Sequence, residues 1–214
     1  MNGTKSDPSM YTFDWAVDKL VTPVATGLVL AIFGLLAPGW IADRFRPPTC
    51  DAPEGLEQAK VDRNDVTGAA KPDDVFERKG RVTYQPGNLV DGNTSTAWVE
   101  AESGLGLGSS VRLEFDEPVD VRLVCVVNGY AQSWDLYKRN SRARVLEVRT
   151  GQGKRFAMLA DAGRADRPAF YQQAAVADGK TSYLTLTLES AYAAQQDDVQ
   201  TAAYSDTSIS EVEV

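Results

Sequence analysis

The residues best suited to chemistry lie in one short stretch: Asn128, Tyr130, Trp134, Tyr137, Asn140 and Arg142. Aromatic rings stack on the apolar C–H faces of sugars, while amides and a guanidinium hold hydroxyl groups in place. Together these six side chains describe a carbohydrate-binding surface. The same residues also suit a structural reading, in which Tyr130 and Tyr137 turn corners and Asn140 and Arg142 hold a loop. Around them, Lys138, Arg139, Arg142, Arg144, Arg149, Lys154 and Arg155 face only Glu147 over the same span. Such a basic patch could meet anionic sugars, phosphates or headgroups. It could equally be a solvated strand face balanced by acids elsewhere. Asp197 and Asp198 read as a solvated loop.

Other chemistries find little support. The chain contains no histidine, so the usual neutral-pH general base is missing. Its formal net charge of −8 argues against a nucleic-acid surface, which requires basic character. The glycines from Gly104 to Gly108 precede an expected strand, not a helix, and match no nucleotide-binding fingerprint. Asp116 and Glu117 are adjacent and read as a turn. The expectation is a protein without catalytic activity. The two cysteines, Cys50 and Cys125, form neither a disulfide framework nor a zinc motif. A bridge between them is open to a chain outside the cytoplasm. The reading favours Cys125 as a buried small apolar residue.

The elements that must position these residues divide the chain. Residues 1–19 are a polar tail. Residues 20–42, from Leu20 to Ala42, carry no charge. As a helix they would extend about 34 Å, matching a hydrocarbon core of about 30 Å. Pro23 near the start, Pro38 and Gly39 near the end, and Trp40 at the interface suit a retained transmembrane helix. The flanking charges, Lys5 and Lys19 against Arg44 and Arg46, almost balance and tilt, if at all, toward a cytoplasmic C-terminal side. Residues 43–80 are polar, with Pro47, Pro48, Pro53 and Pro72, and read as a stalk of low order.

Residues 81–214 read as all-β. Arg112 to Phe115 alternate polar and apolar. Val119 to Val127 form a nearly continuous β-branched run, expected to be one central strand buried on both faces. Val145–Arg149, Tyr183–Leu188 and Ile209–Val214 are further strands, with Phe156–Leu159 and Phe170–Val176 as weaker ones. Gly, Asn and Asp clusters separate them, which indicates a sandwich or barrel. No helical period stands out.

The run Asn88-Leu89-Val90-Asp91-Gly92-Asn93-Thr94-Ser95-Thr96-Ala97-Trp98 resembles the first signature of discoidin-like domains, also called coagulation-factor type C domains. Those are jelly-roll β-sandwiches that bind glycans or lipid headgroups. Val111 to Phe115, Asn128-Gly129-Tyr130, Tyr137 through Asn140 to Arg142, the Leu184–Leu188 strand and Ile209-Ser210-Glu211-Val212 are similar to one bacterial branch. That branch is the glycan-binding domain found beside some secreted NAD glycohydrolases. The resemblance covers about Val82 to Val214 and implies no NAD chemistry, because the catalytic domain is absent from it. Val99 stands where many relatives carry a cysteine.

The resemblance also implies a structural Ca²⁺ in the loop after the first strand, with Asp91, Thr96 and Glu211 as its leading ligands and Asn93 beside them. A hard cation of this kind takes six to eight oxygens. Read without the family, the same residues make an Asx-turn near an unrelated glutamate. The resulting expectation is a membrane-anchored glycan-binding module with its β-domain outside the cytoplasm. The alternative is an accessory subunit of a membrane complex, whose sandwich binds a protein partner.

Overall fold

The computed structural model describes residues 47–53, 55–76, 80–162, 169–195 and 204–214. One compact unit runs from Pro48 to Val214. The tail and the expected transmembrane helix lie outside the described residues. Among the described residues, no helix is long and apolar enough to cross a membrane.

The strands are β1 (Val66–Gly68), β2 (Asp74–Phe76), β3 (Gly80–Val82), β4 (Trp98–Val99), β5 (Ser110–Val121), β6 (Val124–Asn128), β7 (Ser141–Thr150), β8 (Gly153–Met158), β9 (Tyr171–Ala174), β10 (Gly179–Tyr192) and β11 (Thr207–Glu213). A short helix, α1, spans Trp134–Arg139. Hydrogen bonding follows the order β1-β5-β10-β7-β11-β6-β9, with β4 on β11 and β8 on β7. All these pairings are antiparallel except β7 with β11, which run parallel at Thr207↔Ser141 and Ser208↔Arg142. Strands β2 and β3 form a separate hairpin-like pair.

Alternation along the strands fills the core. On β10, Leu184, Leu186 and Leu188 are buried while Thr185 and Thr187 between them are partly exposed. They meet Val111, Leu113 and Phe115 of β5, Leu146 and Val148 of β7, and Val124, Val126, Ile209 and Val212 from β6 and β11. Each fully buried leucine of this kind contributes roughly 1.5–3 kcal/mol by leaving water. The all-β, discoidin-like sandwich expected from the sequence is the fold observed.

Three expectations are corrected. The Val119–Val127 run is not one central strand. Its first part ends β5, where Val121 pairs with Gly179 of β10. Its second part is β6, which pairs with β11 and β9. The chain changes faces at Arg122 and Leu123. Both strand ends are apolar, so composition shows no break.

The stalk also ends earlier than Gly80. Val66 to Gly68 pair with Leu113 to Val111 of β5. Ala59 donates its N–H to the Val214 carbonyl at 2.7 Å, and the Trp98 indole N–H reaches the Ala69 carbonyl at 2.8 Å. Ala59, Val61 and Ala70 pack singly against the core. Single docking points and a three-residue strand leave no period for a sequence reading to detect. Finally, Cys125 is not a free core thiol. It forms a disulfide with Cys50, their Cα atoms 5.7 Å apart, and so pins the leading segment to β6.

Candidate functional site

The chemistry-bearing stretch runs from the end of β6 through α1 into β7. Gly129 begins it at φ 74°, in the left-handed region that favours glycine. A Cβ there would lie 2.7 Å from both the Tyr137 ring and the Arg142 side chain. Helix α1 starts where the Ser133 hydroxyl accepts the Leu136 N–H at 3.2 Å, an N-cap. It stops at Asn140, whose backbone N–H and side-chain amide both donate to the Leu136 carbonyl, at 3.1 and 2.8 Å.

Of the six expected ligand-binding residues, four turn inward. Asn128 is buried, and its amide pairs both ways with the Ala143 backbone, at 2.7 and 3.0 Å. Tyr130 is buried edge-on against Tyr84, with ring centroids 6.5 Å apart. Burial pushes its phenol pKa up. Asn140 is buried and serves the helix end. Arg142 is only 1% exposed. Its guanidinium donates to Asp161 through Nε at 3.1 Å and Nη2 at 2.5 Å, and through Nη1 to the carbonyls of Asn140 and Ala193. These groups are engaged in holding the corner, which is the structural reading of their types.

Tyr137 has two roles. Its hydroxyl donates to Asp161 at 2.9 Å and accepts the Ala162 N–H at 2.8 Å. Burial is the main cause of a phenol pKa raised to about 12, with the Asp161 charge adding to it. Its ring also meets Trp134 at 5.5 Å, nearly perpendicular. Beyond that pair a cleft of about 760 Å³ opens, lined by Trp134, Tyr137, Lys138, Arg142, Asp161 and Gln195. Trp134 is half-buried, and Asp161 keeps 29% of its side chain exposed. The Gln195 N–H donates to the Lys138 carbonyl at 2.7 Å, which ties that residue to the helix end. An indole beside a carboxylate, a primary amide and an ammonium group suits the mixed apolar and hydroxylated surface of a sugar.

The sequence reading named neither Asp161 nor Gln195 as a site residue. Asp161 sits in the loop after β8 and Gln195 follows β10. Neither belongs to a local motif, so only the fold reveals their place. Lys138 was legible as part of the basic patch. That patch is largely taken apart in three dimensions. Arg142 points inward, Arg139 pairs with Asp135 at 3.2 Å, and Arg149 and Lys154 both hold Glu147.

The four expected calcium ligands do come together. Thr96 donates its hydroxyl to both Asp91 carboxylate oxygens, at 3.0 and 2.9 Å. The Asn93 N–H reaches Asp91 Oδ1 at 2.9 Å and Glu211 Oε2 at 3.1 Å. Glu211 is 2% exposed. Desolvation raises its carboxyl pKa, and the Asp91 charge adds to this against the backbone N–H bonds of Gly92 and Asn93, to about 7. A cavity of about 490 Å³ opens onto both carboxylates, with Lys60 at its wall. The Arg63 guanidinium stands 3.7 Å from Asp91. The carboxylate pair offers oxygen ligands, and the Arg63 guanidinium already offsets part of its charge. In coordination the pair supplies two carboxylates, and among the described residues no cluster of three or more acidic, His or Cys side chains gathers. Asp91 and Glu211 would hold the ion, and carbonyl or water oxygens would complete its shell.

A mycobacterial arabinofuranosyltransferase, AftD, is similar over 69% of this chain and 10% of its own, at 19% identity and a TM-score of 0.46. The chain thus spans about a tenth of that protein. The family 32 carbohydrate-binding module of AlyQ, seen with 4,5-unsaturated mannuronic acid, shares 15% identity over 74% of this chain and 97% of its own, at a TM-score of 0.46. The family 32 module of NanJ from C. perfringens, seen with galactose, shares 13% identity over 74% and 98%, at a TM-score of 0.43. At these identities and scores the ligands of those proteins say nothing about this one. No curated protein sequence matches the chain. The model of one family, described as the NAD glycohydrolase translocation F5/8 type C domain, covers residues 63–214. Its start inside the supposed stalk agrees with the packing of β1 on β5, and the chain belongs to that family.

Proposed function

We propose that this chain is a membrane-anchored carbohydrate-binding module without catalytic activity, acting through the cleft beside Trp134. The observation that carries this reading is the meeting of Trp134 and Tyr137 with Lys138, Asp161 and Gln195 around one open cleft. The ring supplies a stacking surface, and the carboxylate and amide offer hydrogen bonds to sugar hydroxyls. Anchoring rests on the uncharged stretch Leu20–Ala42, whose length suits a bilayer.

An extracytoplasmic domain is favoured by the Cys50–Cys125 disulfide, since such bonds persist in oxidising compartments. Non-reducing alkylation in intact cells checks this: both thiols should stay unreactive until reductant is added. Free thiols in untreated cells would place the domain inside. A structural Ca²⁺ at Asp91 and Glu211 belongs to the same proposal, supported by the convergence of the two carboxylates on one cavity.

The test of function is a glycan array probed with residues 48–214, the compact unit. Reproducible binding that disappears in Trp134→Ala while the fold persists is the expected result. Binding unchanged by that substitution would move the site elsewhere. No carbohydrate binding at all would overturn the reading.

A further inference from the structure

The outer edge of β8 lies apart from the cleft and from the acidic loop. Strand β8 pairs with β7 through six consecutive partners, from Val145↔Met158 to Thr150↔Gly153, without a register shift. No described strand pairs with its other edge. Outward N–H and C=O groups on such an edge are a template for another strand, and proteins commonly block them with prolines or bulges. Neither interrupts Gly153–Met158.

Phe156 and Met158 are 55% and 75% exposed. They are two residues apart, so they share one face of the strand with Lys154. Lys154, whose ammonium lies 5.2 Å from the Phe156 ring, and Arg149 share that face, while Arg155 alternates to the opposite one. The one acid among them, Glu147, is already held by Arg149 at 2.6 Å and Lys154 at 2.7 Å. The chain as a whole carries a net charge of −8, so this positive edge is a local feature.

We propose that the edge of β8 is a docking site for an extended peptide of alternating acidic and apolar residues, which would add a strand to the sheet. Backbone hydrogen bonds would supply the affinity, Phe156 and Met158 would receive the apolar side chains, and the basic residues would select acidic ones. A second copy of this chain fits poorly, because edge-to-edge pairing would bring like charges together. A bilayer fits less well than a peptide. A headgroup satisfies no strand edge, and Glu147 stands directly opposite Phe156 in register, so inserting that ring would desolvate an ion cluster.

The experiment selects a displayed library of nine-residue peptides on the full chain in detergent micelles. Counter-selection uses the Phe156→Ser/Met158→Ser double variant. Both side chains are exposed, so the variant should melt with the wild type. Arg155→Glu is a second, exposed variant that tests charge without removing a partner of Glu147. Enriched peptides should alternate acidic and apolar residues and bind wild type at least ten-fold tighter than either variant. They should lose binding when alternate amides are N-methylated, and slow amide exchange at 153–158. Trp134→Ala should leave this binding unchanged, which separates it from carbohydrate recognition. Peptides without acidic character, equal binding to the double variant, indifference to N-methylation, or no enrichment would each overturn the proposal. So would phosphatidylglycerol vesicles that bind through the same side chains while no peptide is enriched.

Discussion

The two sides of α1 are built from one stretch of chain and do opposite things. On the inner side, Asn128, Asn140 and Arg142 turn their polar groups to the protein itself: the amide of Asn128 to the Ala143 backbone, that of Asn140 to the helix end, the guanidinium of Arg142 to Asp161 and two carbonyls. On the outer side, Trp134 and Lys138 line a cleft with Asp161 and Gln195. Tyr137 joins them, its hydroxyl in the inner network and its ring against Trp134. Residue type alone therefore does not decide a binding role. A buried amide or guanidinium already bonded to backbone carbonyls or a carboxylate serves the fold first, and removing its partners is costly.

Substitutions can break this comparison, beginning with the inner side. Arg142→Ala should destabilise the domain by about 3–5 kcal/mol, because it leaves Asp161 without its buried partner. Urea unfolding measures the loss, and a near-wild-type midpoint would mean that the corner is not a structural unit. Asn128→Ala comes next, at roughly 2–4 kcal/mol, since it strands the buried N–H and C=O of Ala143 at about 1–2 kcal/mol each. Its cost should appear as a lower thermal midpoint.

The outer side should respond in the reverse sense. Trp134→Ala should cost about 1 kcal/mol of stability or less, the scale of one aromatic contact, yet weaken glycan binding at least ten-fold, or about 1.4 kcal/mol. Calorimetry on the glycan found by the array reads both. Gln195→Ala sharpens the contrast further. It should leave the unfolding midpoint in place and reduce affinity about three-fold, in keeping with one hydrogen bond of about 0.5–1.5 kcal/mol. The smallest expected change concerns the Asp91 loop. Calcium in excess should raise the thermal midpoint by a few degrees, following the one-site linkage between binding and stability. Asp91→Ala/Glu211→Ala should abolish that rise, and an unchanged wild-type midpoint would remove the ion from the proposal.

Much of the fold was legible in the chain, and particular residues show why. The Tyr183–Leu188 alternation matched β10 because every second side chain of a strand faces the core, whatever it meets there. The run from Asn88 to Trp98 marked the family because its residues act together locally. Asn88 bonds the carbonyls of Thr83 and Ala97, both at 2.9 Å, and closes the loop on itself. The leading segment looks like a stalk in the sequence for the converse reason. Its contacts reach Val111–Leu113, Cys125 and Val214 far along the chain, and Val66–Gly68 is too short to show a period.

What depends on neighbours along the chain could be read before folding: the strand alternation, the glycine-marked turns, the family signature and the absence of histidine. That Cys50 meets Cys125, that Asp161 captures Arg142 and Tyr137, and that Trp134 borders an open cleft emerges with the fold. Periodicity is written along the chain. Whether a polar group is satisfied or available depends on residues that folding brings to it from elsewhere.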